Sequence, residues 1–208
     1  MPKSESERTA KRRKEIIDAC ESIYREQGFN GVTIKQISTE TSFTRPSIYN
    51  YFETKDEILL ALLEREYDLW CDQMETLVKP AETADRATLA ALIAQSLENR
   101  DLLLRIQNMN LFEMEQNCRT GQLASFKLRY LRAVTALSDI LKAYKPSSTT
   151  DECENFYMTF SAFLIGMYPF VFHTEKQLDA MALANVIQKE TSICDMVKNC
   201  LLALLPEK

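Results

Sequence analysis

The stretch Thr33 to Glu57, TIKQISTETSFTRPSIYNYFETKDE, decides how the chain is to be read. Thr33 precedes Ile34, Ile37 and Ser38, with Gln36 three residues on, which is the pattern of a capping box opening a short helix. The pattern stops near Thr41, and Ser42-Phe43 makes a brief turn. Thr44 then reads as the N-cap of the next helix, with Pro46 in its first turn, where a missing N–H costs nothing. That helix ends near Phe52, and Thr54-Lys55-Asp56-Glu57 is a further capping box. Two short helices joined by a tight turn form a helix-turn-helix. Its second helix must offer small polar and basic groups to a major groove while its other side is buried. Ile48 and Phe52, four residues apart, share the inward side, whereas Arg45, Ser47, Tyr49 and Asn50 lie off it.

Helical periodicity continues on both sides of this stretch. Ile16, Cys20, Ile23 and Tyr24 fall on one face of a preceding helix that ends at Gln27, with Gly28 suited to the left-handed position beyond it and Phe29 packing back. A long helix follows over 56–77, with Ile58, Leu59, Leu62, Leu63, Leu69, Trp70, Met74 and Leu77 on its apolar side and Pro80 marking its end. Further helices are expected over 84–98, 100–115 and 121–144, then, after a loop from Pro146 to Asp151, over 151–172. Pro169 should bend or end that helix. Thr174-x-x-Gln177 caps a last helix running to about 205. The expected fold is all-α: a three-helix helix-turn-helix domain over 1–55 and a helical bundle over 56–208.

Composition supports this and excludes several classes. The 208 residues include 4 Gly and 6 Pro, too few for an all-β sandwich or a Gly-rich nucleotide-binding fold. No apolar run approaches the roughly 18 residues of a membrane span, so no membrane partner is expected. The basic, polar N-terminus lacks the apolar core of a secretory signal, so the expected location is cytoplasmic. The six cysteines are scattered, none in a C-x-x-C, and the single His173 cannot complete a zinc set. Reduced, mostly buried thiols are the expectation, with redox sensing the alternative. The net charge of −5 argues against a nucleic-acid partner only while it is taken whole. Residues 1–55 carry 10 basic and 8 acidic side chains, and 56–208 carry 15 and 22. Residues 8–14 alone hold five positive charges and no acid; they read either as a salt-sensitive, phosphate-binding arm or as a solvated terminus.

Over Ile16 to Leu63 the chain resembles the DNA-binding domain of the tetracycline-repressor (TetR) family. The resemblance rests on Ala19-x4-Tyr24-x3-Gly28-Phe29, Val32-Thr33-Ile34-x2-Ile37-Ser38, and Ser42-Phe43-Thr44-x2-Ser47-Ile48-Tyr49-x-Tyr51-Phe52-x2-Lys55-x-Glu57. The chain departs from the family pattern at Phe43, where a small aliphatic residue is common, and at Thr41-Ser42, where Ala-Gly is common. Ser42 is thus a candidate strained turn residue. The resemblance implies that Arg45 and Pro46 meet base edges and that Ser47 and Tyr51 sit at neighbouring base or backbone positions. It also implies that the Tyr49 hydroxyl bonds a phosphate. Thr33 and Lys55 open helices whose N-termini suit phosphates, and Lys35 reaches a base or a phosphate. Thr44 and Asn50 complete the expected DNA-binding set. Thr33 and Thr44 serve as caps whatever else they do, Tyr49 and Tyr51 have a packing alternative, and Lys35 has the alternative of a solvated surface charge.

The resemblance further implies a ligand-binding and dimerisation domain in the rest of the chain. Phe156, Phe160, Phe163, Leu164 and Met167 run along one helix, and Val186, Ile187, Ile193, Val197, Leu201, Leu204 and Leu205 along the last. Paired with a second copy, these two helices would form a four-helix homodimer interface; the alternative is that both stripes are monomer core. A two-fold dimer reads two half-sites of a palindromic double-stranded DNA operator. Candidate ligand-lining residues are Trp70, Met74, Met109, Phe112, Met114, Tyr130, Phe163 and Tyr168, with Asn108, Asn110 and Glu113 as polar groups that a ligand would satisfy. A core role is the alternative for the aromatic and Met residues. The implied function is a ligand-responsive transcriptional repressor, released by a small apolar or aromatic effector that shifts the long helix over 56–77. An enzyme is the rival class, but no nucleophile–His pair, phosphate loop or metal spacing is present, so no catalytic residue, metal or cofactor is expected.

Overall fold

The computed structural model describes residues 5–187 and 189–208; the side chains of Met109 and Asn110, two of the candidate ligand residues, lie outside the described residues. Among these residues every regular element is helical. Helix α1 spans Glu5–Gly31 and is interrupted at Gly28, where φ is 69° and ψ −170°. The stop expected after Gln27 is met there. The backbone adopts the mirror-extended region open almost only to glycine, rather than the left-handed helical one.

Helix α2 covers Ile34–Thr39, shorter than expected. The hydroxyls of Ser38, Thr39 and Thr41 donate back to the carbonyls of Lys35, Gln36 and Ile37, giving the backbone an alternative to helix continuation. Thr33 caps it, accepting from the Gln36 N–H at 3.1 Å. Ser42 carries no positive φ, so the turn is not strained there; its N–H and hydroxyl both donate to Glu15 Oε1, at 2.8 and 2.7 Å. Helix α3, Arg45–Tyr49, is capped by Thr44 and ends before the expected Phe52, because Tyr51 and Phe52 both donate their N–H to the Ile48 carbonyl in a closing turn.

Helix α4 runs over Lys55–Glu75. The end expected near Pro80 comes earlier, where Leu77 N–H tightens onto the Met74 carbonyl. Pro80 lies instead in the first turn of a short helix α5, Val78–Ala81, where its missing N–H is not needed. Helices α6 (Arg86–Leu97), α7 (Asp101–Gln116) and α8 (Thr120–Tyr144) follow as expected. Two later expectations need correction. The helix expected over 151–172 is α9, Thr150–Gly166, and Pro169 falls in a separate 3₁₀ turn, Tyr168–Phe170. The single last helix is two: α10, Glu175–Leu183, under the Thr174–Gln177 capping box, and α11, Ile193–Leu204, capped by Ser192. Between them Asn185 takes a φ of 53°, and Val186 and Ile187 lie in the break, Ile187 being 98% exposed.

The chain packs as two compact units. One holds the residues up to 66 together with 110–129; the other holds 67–109 with 130–208. Helices α4, α7 and α8 therefore each contribute residues to both. Ile16, Ile23, Tyr24, Ile37, Ile48 and Phe52 are fully buried in the first. In the second, α11 packs on α6 and α9, and Phe156, Phe160, Leu164, Ile193, Val197 and Leu201 are buried within the single chain. Much of each stripe named for the dimer is thus core of the protomer. Met158 and Ile165 stay exposed on α9, and no residue of α10 is buried.

Candidate functional site

The helix-turn-helix is fixed from beneath and from its flank. Ile48 and Phe52 are fully buried, and the Arg13 guanidinium lies 4.2 Å above the Phe52 ring while donating to the Tyr51 carbonyl at 3.2 Å. Thr33, Lys35, Thr44, Arg45, Pro46, Tyr49 and Asn50 are exposed, and Ser47, Tyr51 and Lys55 are half-buried. Among the described residues the Arg45 and Lys35 side chains have no hydrogen-bond or ion-pair partner, so no internal contact accounts for either charge. Thr33 and Thr44 act as caps. Tyr51 is partly engaged inside the protein, with its ring edge-on to Phe43 and its hydroxyl accepting from Arg12 Nη1 at 3.0 Å. Lys55 Nζ sits 4.0 Å over the Phe29 ring. Asn50 is the C-cap of α3.

The turn that leads from α3 into α4 is clasped by the α7–α8 corner of the same unit. The fully buried Glu57 carboxylate accepts from Arg119 Nε at 2.6 Å, Arg119 Nη2 at 2.7 Å, the Arg119 N–H at 3.1 Å and the Glu53 N–H at 2.8 Å. Burial raises the Glu57 pKa, but these bonds outweigh it and hold the carboxyl below its ordinary 4.5. Thr54 caps α4 by accepting from the Glu57 N–H at 3.1 Å, and its hydroxyl donates to the Asn117 carbonyl at 3.2 Å. Asn117 Nδ2 in turn donates to Asp56 at 3.0 Å. The Glu57–Arg119 pair is 62 residues apart and cannot be read from local pattern.

In the second unit a small, partly open cavity of about 10 Å³ is lined by residues that include Tyr67, Trp70, Gln107, Tyr130, Ser161 and Leu164. Tyr67 donates its hydroxyl proton to Gln107 Oε1 at 2.9 Å, and Trp70 Nε1–H donates to the Ser96 hydroxyl at 2.9 Å. The rings of Tyr67 and Tyr130 meet edge-on, as do those of Tyr67 and Trp70. Of the candidate ligand residues, this cavity brings together Trp70 and Tyr130. Met74 is buried outside its lining, Phe163 stacks on Phe160, and Tyr168 stacks on Phe172 at 4.6 Å. Phe112, 76% exposed, the exposed Glu113 and the buried Met114 belong to the first unit. Asn108 is satisfied by the Ile165 carbonyl at 2.5 Å. Sequence reading missed Tyr67 and Gln107. Gln107 follows Leu103 by one turn on an apolar helix, which was the available signal.

Burial pushes Cys20, Cys71 and Cys118 up to about 12 and raises Cys194 and Cys200, away from the low pKa of a redox sensor. Among the described residues no group of three or more His, Cys, Asp or Glu could hold a metal ion, and no helix is long and apolar enough to cross a membrane.

Two family models match. Residues 16–62 match the tetR family of bacterial regulatory proteins, and residues 64–205 match the tetracyclin repressor-like C-terminal domain. Among curated relatives, the HTH-type transcriptional regulator HbdR of Aromatoleum sp. (strain CIB) is 36% identical over 83 residues, 38% of this chain and 36% of HbdR. An uncharacterised HTH-type transcriptional regulator, YfiR of Bacillus subtilis (strain 168), is 29% identical over 97 residues, 47% of this chain and 44% of YfiR. The matches thus span less than half the length of these relatives. The fold is shared with a solved structure described as a TetR-family regulator from Mesorhizobium loti MAFF303099, at TM-score 0.61 and 14% identity, covering 95% of this chain and 98% of that one. It is also shared with FadR from Bacillus subtilis in complex with stearoyl-CoA, at TM-score 0.57 and 17% identity, covering 92% and 96%. With family models matching most of its length, above a helix-turn-helix whose polar side faces outward, the chain belongs to the tetR family of bacterial regulatory proteins and is a transcriptional regulator of that family.

Proposed function

We propose that the protein is a homodimeric repressor that binds a palindromic operator through α3 and is released by a small apolar or aromatic effector. Residues 1–55 act as the reader and 56–208 as the sensing and dimerising part. The observation that carries the DNA reading is the division of α3. Ile48 and, just beyond it, Phe52 are buried, while Arg45, Pro46, Tyr49 and Asn50 are displayed and Arg45 is unpartnered among the described residues. In this reading Arg45 takes the O6 and N7 acceptors of a guanine. Thr33, Lys35, Thr44, Ser47, Tyr49, Tyr51 and Lys55 supply backbone and neighbouring contacts. The exposed Met158 and Ile165 of α9, with the uncovered α10, support pairing with a second copy.

The effector site centres on Tyr67, Trp70, Gln107 and Tyr130. A cavity of about 10 Å³ holds little more than one water, so the effector selects a conformer in which these side chains have parted. The stearoyl-CoA bound to the similarly folded FadR agrees with an apolar effector. Coupling to DNA runs through a shift of α4, which continues from the reader into residues of the second unit.

Selection of duplexes from a random library, followed by anisotropy titration, tests the DNA reading. Arg45→Ala is expected to lose about tenfold or more in affinity for the selected duplex, with unchanged helical circular dichroism. Failure of the wild type to enrich any sequence overturns the reading. Trp70 is the only tryptophan, so its emission should change as an acyl-CoA or aromatic compound fills the cavity and releases the duplex. A compound that shifts the emission without releasing DNA rules out the coupling.

A further inference from the structure

The cavity of the second unit is apolar over much of its wall, with Leu137, Leu164 and Ile165 beside the aromatic rings. Two of its polar groups are spent inside the protein. Trp70 Nε1–H donates to the Ser96 hydroxyl, which itself donates to the Ile93 carbonyl at 2.7 Å. The Tyr67 hydroxyl donates to Gln107 Oε1. That bond fixes the Gln107 amide by its oxygen and leaves its nitrogen end over. The side chain is only 3% exposed, yet Nε2 has no partner among the described residues. An amide nitrogen has two N–H donors to place, and leaving them unpaired in a buried site is costly. Tyr130 on α8 and Ser161 on α9, both half-buried and lining the same cavity, carry hydroxyls that likewise bond nothing among the described residues.

No Asp, Glu, Lys, Arg or His lines the cavity among the described residues. Asp72 and Glu75, further along α4, are bonded to Arg132 at 2.7 Å each. An ion entering here would lose its hydration with no opposite charge to replace it, whereas a neutral acceptor would gain the unused Gln107 N–H groups. We infer that the buried part of the effector is uncharged and carries a carbonyl group, as in a ketone, ester, thioester or amide. Its oxygen accepts from Gln107 Nε2, with the Ser161 or Tyr130 hydroxyl as a second donor. This chemistry rests on the effector site proposed above. A cavity of about 10 Å³ has the room that one water needs, so the carbonyl oxygen fits it as it stands, and the apolar remainder of the ligand parts the rings.

Probes of one shape and different polarity test this by isothermal titration calorimetry on the full chain: cyclohexyl methyl ketone, its alkene isostere isopropenylcyclohexane, cyclohexanecarboxylate and cyclohexanecarboxamidinium. The ketone is expected to bind several-fold more tightly than the alkene, and both ions more weakly than either. Gln107→Leu, with unchanged helical circular dichroism, should bring the ketone down to the alkene and leave the alkene where it was. Gln107→Glu keeps an acceptor for Tyr67 and puts a carboxylate in place of the donor, so the amidinium should become the tightest of the set; it decides the matter if Gln107→Leu does not fold. A wild type that does not prefer the ketone to the alkene, or that favours either ion, overturns the carbonyl assignment while leaving the effector site standing. So does a ketone preference that survives Gln107→Leu, or an equal weakening of ketone and alkene, which would make Gln107 a packing residue only. If none of the probes binds the wild type, the effector site itself is overturned.

Discussion

The two compact units solve different packing problems with the same secondary structure. In the first, the helix ends about the helix-turn-helix are settled by side chains: Thr33 on the short α2, Thr44 on the short α3 and Thr54 on α4, with the Glu57–Arg119 clasp closing the last turn. The exposed side of its helix-turn-helix is mostly polar, with Thr33, Lys35, Thr44, Arg45 and Asn50 in solvent. The second unit is built from longer amphipathic helices that bury aromatic rings against one another, and its 170–187 stretch leaves Phe170, Leu183 and Ile187 in solvent. A surface that must meet a groove in one orientation benefits from caps and clasps, which fix backbone direction. If the proposed effector enters the second unit, ring packing suits it, since rings can rearrange without breaking a backbone ladder.

The sharpest way to break that contrast is to hollow each core in turn. Phe52→Ala and Phe160→Ala each remove a fully buried ring, and each is expected to cost about 3–5 kcal/mol. Phe52→Ala should abolish duplex binding while moving the Trp70-reported thermal transition less than Phe160→Ala does. Identical shifts for both would show that the two units melt as one. A smaller effect is expected at Gly28. Alanine there must adopt a φ of 69° with ψ near −170°, so Gly28→Ala should cost about 1–3 kcal/mol and lower duplex affinity by loosening the approach to α2. An unchanged melting temperature would show that the break relaxes freely.

The smallest expected effect is acid sensitivity of the clasp. The Glu57 carboxyl sits below its unfolded value of 4.5, so its contribution is present above that pH and is lost as pH falls through the lower folded value. Melts between about pH 5 and pH 3 should therefore fall less steeply for Glu57→Gln than for the wild type. Parallel curves would remove Glu57 from the account of the first unit's rigidity.

The same contrast explains what could be read from the sequence. The helix-turn-helix was legible because caps are local: Thr44 and Ser47 are three residues apart, and Ile48 and Phe52 one turn. The later boundaries were less so. Pro169 was seen to interrupt a helix, yet the choice between a bend and an end depended on the 3₁₀ turn that Tyr168–Phe170 adopts. The break near Asn185 carries no Gly or Pro to announce it. The cavity was half legible: Trp70 and Tyr130 stand out as aromatic residues. Tyr67 and Gln107 matter because their side chains bond each other across 40 residues, a pairing that periodicity does not encode.

The sharing of α4, α7 and α8 between the units bears on attempts to build hybrid regulators. A helix-turn-helix exchanged by one crossover near residue 63 would carry Glu57 from one parent and meet Arg119 from the other, since residues 110–129 pack in its unit although they follow the first helices of the second unit in the chain. A chimaera that keeps the native clasp must be spliced three times, near 66, 109 and 129, and transplanted as two segments.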